Sequence, residues 1–421
     1  MSLQKTLTRN TRLSLSAFSM ALLAFSSSQT VSADINETIE NALKFGQDDA
    51  KYGQFKLNLR YRFEQDDTKN PVKEHGDAST IRMRLGYLTP EFRSTQGFSI
   101  QGYAEYETNQ DFGANTYNSA RNGKKEFETI VDPQEHELNQ LWISFKGIPD
   151  TEVKVGRQRI KIDNDRFIGN VGWRQLEQTF DAALLTNQSL PNTTVNVGYI
   201  NQRQTIHSFV QAMQTPFVNA SYDFKDYGKL TGYGYFIDNN EAHKLSNQTY
   251  GVSFDGGKKI TDDIKALYRF EYAYQKDYEQ NPNDYDTDYY HVMAGANVYG
   301  LTVKAGMEQL GGNGVGKVFQ TPLATLHAFN GWSDQFLTTP ENGLRDIYAS
   351  LSTKVMGVKL MGVYHEFDDD SSNTSYGKEY DFLVVKKFAN HYTLLAKYAY
   401  FDGDNGRFDA QNFWLEAGVN F

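Results

Sequence analysis

The stretch Asp409–Phe421 reads DAQNFWLEAGVNF, and its pattern decides the fold class once the rest of the chain is read the same way. Phe413, Leu415, Ala417, Val419 and Phe421 alternate with Asn412, Trp414, Glu416, Gly418 and Asn420. Successive side chains of a strand point to opposite faces, so this is a strand with one apolar and one mostly polar face. Half-buried strands of this kind also occur in soluble proteins. What stands at the other end and in between must discriminate.

Working backwards, the same period recurs. Tyr392, Leu394, Ala396, Tyr398 and Tyr400 share a face, as do Ile264, Ala266, Tyr268, Phe270, Tyr272 and Tyr274. Near the start, Phe55, Leu57, Leu59, Tyr61 and Phe63 oppose Lys56, Asn58, Arg60, Arg62 and Glu64. Strands are expected to begin near Gln54, Ser79, Gly97, His136, Thr151, Gln178, Asn192, Pro216, Gly228, Ser246, Asp262, Tyr285, Gly300, Gly343, Gly357, Tyr376, His391 and Asp409. Alternation is diluted at Gln178–Asn187 and Gly343–Lys354, which leaves sixteen or eighteen strands open. Short turns such as 147–150, 225–228, 298–300 and 388–390 alternate with long polar loops at 109–135, 161–177, 201–215 and 311–342. A transmembrane antiparallel β-barrel has this asymmetry, with short periplasmic turns and long extracellular loops. A soluble sandwich has no reason to keep it. A last strand ending on Phe421 also resembles the assembly signal of bacterial outer-membrane barrels, which implies the barrel-assembly machinery as a partner.

The N-terminus agrees. Lys5, Arg9 and Arg12 precede an apolar run from Leu13 to Phe25, and Val31-Ser32-Ala33 supplies small residues before Asp34. This is the architecture of a cleaved secretory signal over 1–33, and the run is too short to span a bilayer as a helix. Residues 34–53 read as a short periplasmic lead with a possible amphipathic helix through Ile35, Ile39, Ala42 and Leu43; 54–421 is the barrel. Mean hydropathy is low, −0.60, and hydrophobic residues reach only 39% while aromatics reach 14%. A barrel needs only alternate residues apolar, with aromatic girdles at both interfaces, so its average looks soluble. The chain has no cysteine, which excludes a disulfide-stapled fold. A formal charge of −10 argues against nucleic acid as a partner.

Parity then locates the lumen. If Leu57, Leu59, Tyr61 and Phe63 face lipid, Arg60 and Arg62 face inward; Ile81, Met83, Leu85 and Tyr87 likewise turn Arg82 and Arg84 inward. The opposite register would cost roughly 2–4 kcal/mol for each Arg near the bilayer midplane. Glu105 and Glu107 line the next strand, and closing the barrel brings Glu416 beside the first. Two compatible readings follow: a wall-bracing ladder of Arg–Glu pairs, and a net positive constriction that favours anions. The richest stretch is Val153–Ala182, VKVGRQRIKIDNDRFIGNVGWRQLEQTFDA, where Arg157, Arg159, Lys161, Arg166 and Arg174 gather with Asp163, Asn164, Asp165 and Trp173. Arg157 and Arg159 share parity with Val153 and Val155, so they need a bulge at Gly156 or a place at the rim. The Asp284, Asp286, Asp288 spacing lacks the Gly and terminal Glu of a calcium loop, so no metal is expected. The eight histidines fall in no hydrolase pattern, and no catalytic residue or cofactor is assigned.

The segments 156–160, 163–167, 169–175 and 177–182 resemble the alginate-export outer-membrane family. Arg60-Tyr61-Arg62, TIRMRLGY at 80–87, Asp132-Pro133 and Glu137–Gln140 extend the resemblance. It implies an eighteen-stranded monomeric barrel in the bacterial outer membrane, in contact with lipid and lipopolysaccharide. It also implies an arginine-rich lumen for an anionic solute, lined by Arg60, Arg62, Arg82, Arg84, Arg157 and Arg159; Arg166 and Arg174 complete the cluster. The expected function is a passive channel, with 311–342 as the constricting loop. A barrel-housed lipid or peptide hydrolase and a plugged structural or adhesive barrel are the alternatives.

Overall fold

The computed structural model describes residues 33–47, 49–372 and 374–421; most of the expected signal segment lies outside them. It contains one nineteen-stranded sheet, antiparallel throughout. The strands are β1 (Gln54–Thr68), β2 (Gly76–Leu88), β3 (Phe92–Arg93), β4 (Ser99–Thr116), β5 (Glu135–Lys146), β6 (Thr151–Gln158), β7 (Thr179–Asn187), β8 (Thr193–Gln204), β9 (Val210–Asp223) and β10 (Lys229–Ile237). They continue as β11 (Asn247–Lys259), β12 (Ile264–Asp277), β13 (Asp286–Val298), β14 (Leu301–Leu310), β15 (Leu344–Val355), β16 (Val358–Asp368), β17 (Ser375–Phe388), β18 (Tyr392–Gly403) and β19 (Ala410–Asn420). β3 continues β2 beyond Pro90, which has no N–H to give the ladder. Eighteen strands therefore make the wall.

β19 closes on β1 from Asn58↔Asn420 to Thr68↔Ala410, so no edge is left open. Both diluted segments form strands, β7 and β15, which resolves the count at eighteen. Two expected loops are shorter than the sequence suggests. β4 runs to Thr116, and β8 and β9 leave only 205–209 between them. The register shifts between Ala78 and Thr80 and between Ile200 and Gln202. Each bulge breaks the alternation without ending the strand.

The outer surface carries Leu141, Ile143, Val252, Phe270, Val292 and Phe382, all exposed. In water this would be an untenable apolar band; against acyl chains it is the required one. Among the described residues no helix is long and apolar enough to cross a membrane, so the strands do the crossing. Among the described residues the one α-helix, α1 (Ala33–Leu43), sits at the short-turn end. The main core lies inside the barrel, where Phe167 packs on Tyr233, Tyr289 and Phe319 at ring-centroid distances of 5.1, 5.7 and 6.1 Å. Two long loops, 159–178 between β6 and β7 and 311–343 between β14 and β15, turn inward and fill that space.

Candidate pore and its lining

The predicted arginines of the closing wall lie on β1 and β2, next to β4 and β19. Register sets Arg60 opposite Arg82, Arg84 opposite Glu107 and Arg62 opposite Glu416. Arg62 is fully buried, and its Nε donates to Glu416 at 2.7 Å. Its guanidinium lies 4.2 Å from the Trp173 ring centre and also donates to the Trp173 carbonyl. Arg60 donates to Gln175 Oε1 at 2.9 Å and to the carbonyls of Gly172 and Arg174. Arg82 reaches Asn58 and the Gln175 carbonyl. Arg84 bonds Glu107 and stands 3.5 Å from Glu177. The arginine stripe is thus a clamp on the 159–178 loop. Hydrogen bonds to charged groups contribute roughly 1.5–3 kcal/mol each, so together they offset part of the entropy of ordering that segment.

Gly156 explains how the chain enters the lumen. Its φ is +119°, and a Cβ there would meet the Leu141 carbonyl oxygen at 2.3 Å. Arg157 pairs in register with Leu141 and Asp181, so it stays on the outer face at the rim and makes a 2.7 Å ion pair with Asp181. Arg159 lies past the end of β6, where strand parity no longer applies, and turns inward to Glu105 at 2.6 Å and to Glu177. Glu105 also accepts from Asn139 and Gln140 at 2.8 and 2.9 Å. Glu177 accepts from Asn139, Asn170 and Arg159; burial opposes its charge, but Arg84 and Arg159 outweigh burial and hold it at about 2. Arg174 spans Glu64 at 2.9 Å, Asp132 at 3.9 Å and Asp334 at 3.7 Å. Arg166, almost wholly buried, bonds Glu308 at 2.7 Å and Asn330 at 3.2 Å.

The 311–343 loop is fastened on the opposite flank. Glu379 accepts from the backbone of Trp332 and Ser333. His327 stacks on Trp173 at 4.3 Å, its Nδ1 lies 2.7 Å from Asp334 and its Nε2 lies 2.6 Å from Lys397 Nζ. Lys397 is ringed by Trp332 and Trp173 at 3.9 and 4.4 Å. Burial pushes the imidazole down to about 4, and Lys397 adds to the shift against Asp334. The two loops touch directly through the Ile168–Leu323 bridge. Both 159–178 and 311–343 thus pack against each other inside the barrel. Lys397 was legible by the same parity as Arg60, whereas His327 and Asp334 lie in an aperiodic loop.

Two cavities flank the paired loops. The one nearer the short turns, about 560 Å³, carries Lys56, Arg84, Lys154 and Arg159 against Glu105 and Glu152. Trp142 lies 4.5 Å beneath the Lys154 ammonium. The one nearer the long loops, about 680 Å³, carries Glu64, Asp66, Glu128 and Asp334 against Arg174 and Arg203. Among the described residues no group of three or more metal-ligating side chains is arranged around a point; Asp286 and Asp288 lie on β13 rather than in a loop.

A closed barrel with an apolar outer band and a polar, loop-filled interior defines the class: an outer-membrane, porin-like channel. Residues 51–293 match the family described as alginate export, and the chain belongs to that family. No curated protein matches it. Among solved structures it is similar to a BenF-like porin from Pseudomonas fluorescens Pf-5, with TM-score 0.69 and 17% identity, covering 88% of this chain and 99% of that one. OccAB4 of Acinetobacter baumannii gives 0.67 and 13%, covering 89% and 100%. OpdK of Pseudomonas aeruginosa, solved with vanillate, gives 0.66 and 13%, covering 87% and 98%. At these identities the likeness is one of fold, and the fold is that of porins located in the bacterial outer membrane.

Proposed function

We propose that the chain is a passive, monomeric channel for anionic solutes, with uronates and other carboxylates as the class that fits its lumen. The carrying observation is the periplasmic vestibule, where Lys56, Arg84, Lys154 and Arg159 outnumber Glu105 and Glu152. Arg159 is the arginine of the cluster that both reaches the lumen and keeps about a third of its side chain accessible. Weak, repeated contacts with such groups let an anion enter and still leave. The planar guanidinium suits a carboxylate. The porin solved with vanillate, itself a carboxylate, lends the reading support by analogy. Lipopolysaccharide surrounds the long-loop end, and the last strand hands the chain to the assembly machinery. Residues 1–33 are the cleaved signal and 54–421 the channel.

The test is flux. Proteoliposomes holding the refolded chain should pass a uronate oligosaccharide faster than a neutral oligosaccharide of equal length. Equal rates would remove the anion assignment. A second reading, the plugged barrel, draws on the clamped 159–178 and 311–343 loops; it requires negligible single-channel conductance.

A further inference from the structure

Helix α1 lies on the wrong side of the wall for a plug. Its contacts show where it sits. Asn36, buried, accepts from the Tyr392 hydroxyl at 2.9 Å. Glu40 meets His391 Nε2 at 2.7 Å. Just beyond the helix, Phe45 packs on Phe55 at 5.5 Å and Tyr87 at 6.4 Å. His391 in turn stacks on the terminal Phe421 at 4.1 Å. Phe55, Tyr87, Tyr392 and Phe421 share their strands' outward parity with Leu57, Leu85, Leu394 and Val419. These four rings belong to the lipid-facing surface, at its periplasmic margin.

From Tyr392 to Tyr87 the segment crosses β18, β19, β1 and β2, which includes the seam where the barrel closes. Three strand spacings of about 4.8 Å come to roughly 14 Å, close to the rise of a helix of this length at 1.5 Å per residue. The faces are sorted. Asn36 is buried and Glu40 half-buried against the barrel, Glu37 is exposed, and Ile35, Ile39, Ala42 and Leu43 form an apolar stripe along one side of the helix. Ile35 and Phe45 are 55% and 48% exposed although they adjoin the apolar band.

We propose that α1 is an in-plane interfacial helix, its apolar stripe seated in the phospholipid of the periplasmic leaflet, clasping the β19–β1 seam through Asn36–Tyr392 and Glu40–His391. The occupant follows from continuity. The stripe extends the surface that the barrel already gives to lipid, and a short helix with one apolar stripe and a polar opposite face is the form that lies in a membrane interface. The lead at 34–53 is then a membrane-bound clasp, independent of what the lumen conducts.

The chain's four tryptophans make the test clean. Trp142 lines the periplasmic cavity, and Trp173, Trp332 and Trp414 surround Lys397 inside the barrel. Full-length Ile35→Trp and Glu37→Trp variants would be reconstituted in phosphatidylethanolamine–phosphatidylglycerol vesicles with brominated acyl chains. The emission added at 35 should be mostly quenched and that at 37 largely spared. Equal quenching at both positions, or none at 35, overturns the placement. Should either variant fail to show heat-modifiable migration, Ile35→Cys carrying an environment-sensitive dye gives the same reading, since the chain has no other thiol. A blue-shifted emission supports the interface and a water-like one refutes it. Adding His391→Ala and Tyr392→Phe should abolish quenching at 35 with the barrel intact; persistence would overturn the clasp.

Discussion

The two vestibules share one lumen and differ in sign. On the periplasmic side four cations face two carboxylates; on the extracellular side four carboxylates face two cations. The arginines between them are spent on structure, since Arg60, Arg62 and Arg82 hold loop carbonyls or close partners and are not free to meet a solute. Counting arginines therefore overstates the positive field; at the periplasmic end Arg84 and Arg159 are themselves paired with Glu107, Glu105 and Glu177, so Lys56 and Lys154 are the cations that weigh most there. Such a bipolar lumen should rectify. With the extracellular side positive, anions enter from the basic end and cations from the acidic end, and the waist fills with carriers; the reverse polarity empties it.

The largest expected effect comes from inverting the basic end. A Lys56→Glu/Lys154→Glu double variant should lose both anion preference and rectification in single-channel recordings. If rectification persists, its source lies elsewhere. Next is the clamp. Glu177→Gln leaves Arg84 and Arg159 without their shared partner, and breaking a buried pair in this way costs about 3–5 kcal/mol. Urea unfolding in detergent should show that loss, and the freed 159–178 loop should make the current noisy.

The pH response should be smaller. His327 titrates near 4 in the folded chain, below its usual 6.5. A histidine held neutral by folding stabilises the native state above the unfolded value, and that contribution is lost as pH falls from about 6.5 through 4. Asp334 is held below its ordinary range, against burial, by His327, Arg174 and Lys397, so its contribution disappears in the same direction. Conductance fluctuations should therefore grow between pH 6.5 and 4, and His327→Gln should flatten the profile. The smallest effect belongs to the rim. Arg157→Gln removes a partly exposed pair worth about 1 kcal/mol or less and should leave selectivity unchanged, whereas Arg159→Gln should reduce it.

Much of this was legible in the chain. Period-2 alternation fixes which side chains face lipid, so the inward face of Arg60, Arg62, Arg82, Glu105 and Glu416 follows from residue spacing alone. Lys56, Lys154 and Lys397 obey the same rule. Parity fixes a face but not a height or a partner, and that is why a basic stripe turned out to be a loop clamp. It also fails at bulges, which hid the ends of β4 and β8, and beyond strand ends, where Gly156 lets Arg157 and Arg159 part ways. His327, Asp334 and Glu177 sit in aperiodic loops, so only the tertiary structure brings them to the wall.

The most direct test of anion passage is the zero-current potential of the wild-type channel in a planar bilayer under a potassium chloride gradient. The proposed anion function predicts the sign set by chloride permeating faster than potassium, and a potential of the opposite sign would contradict it.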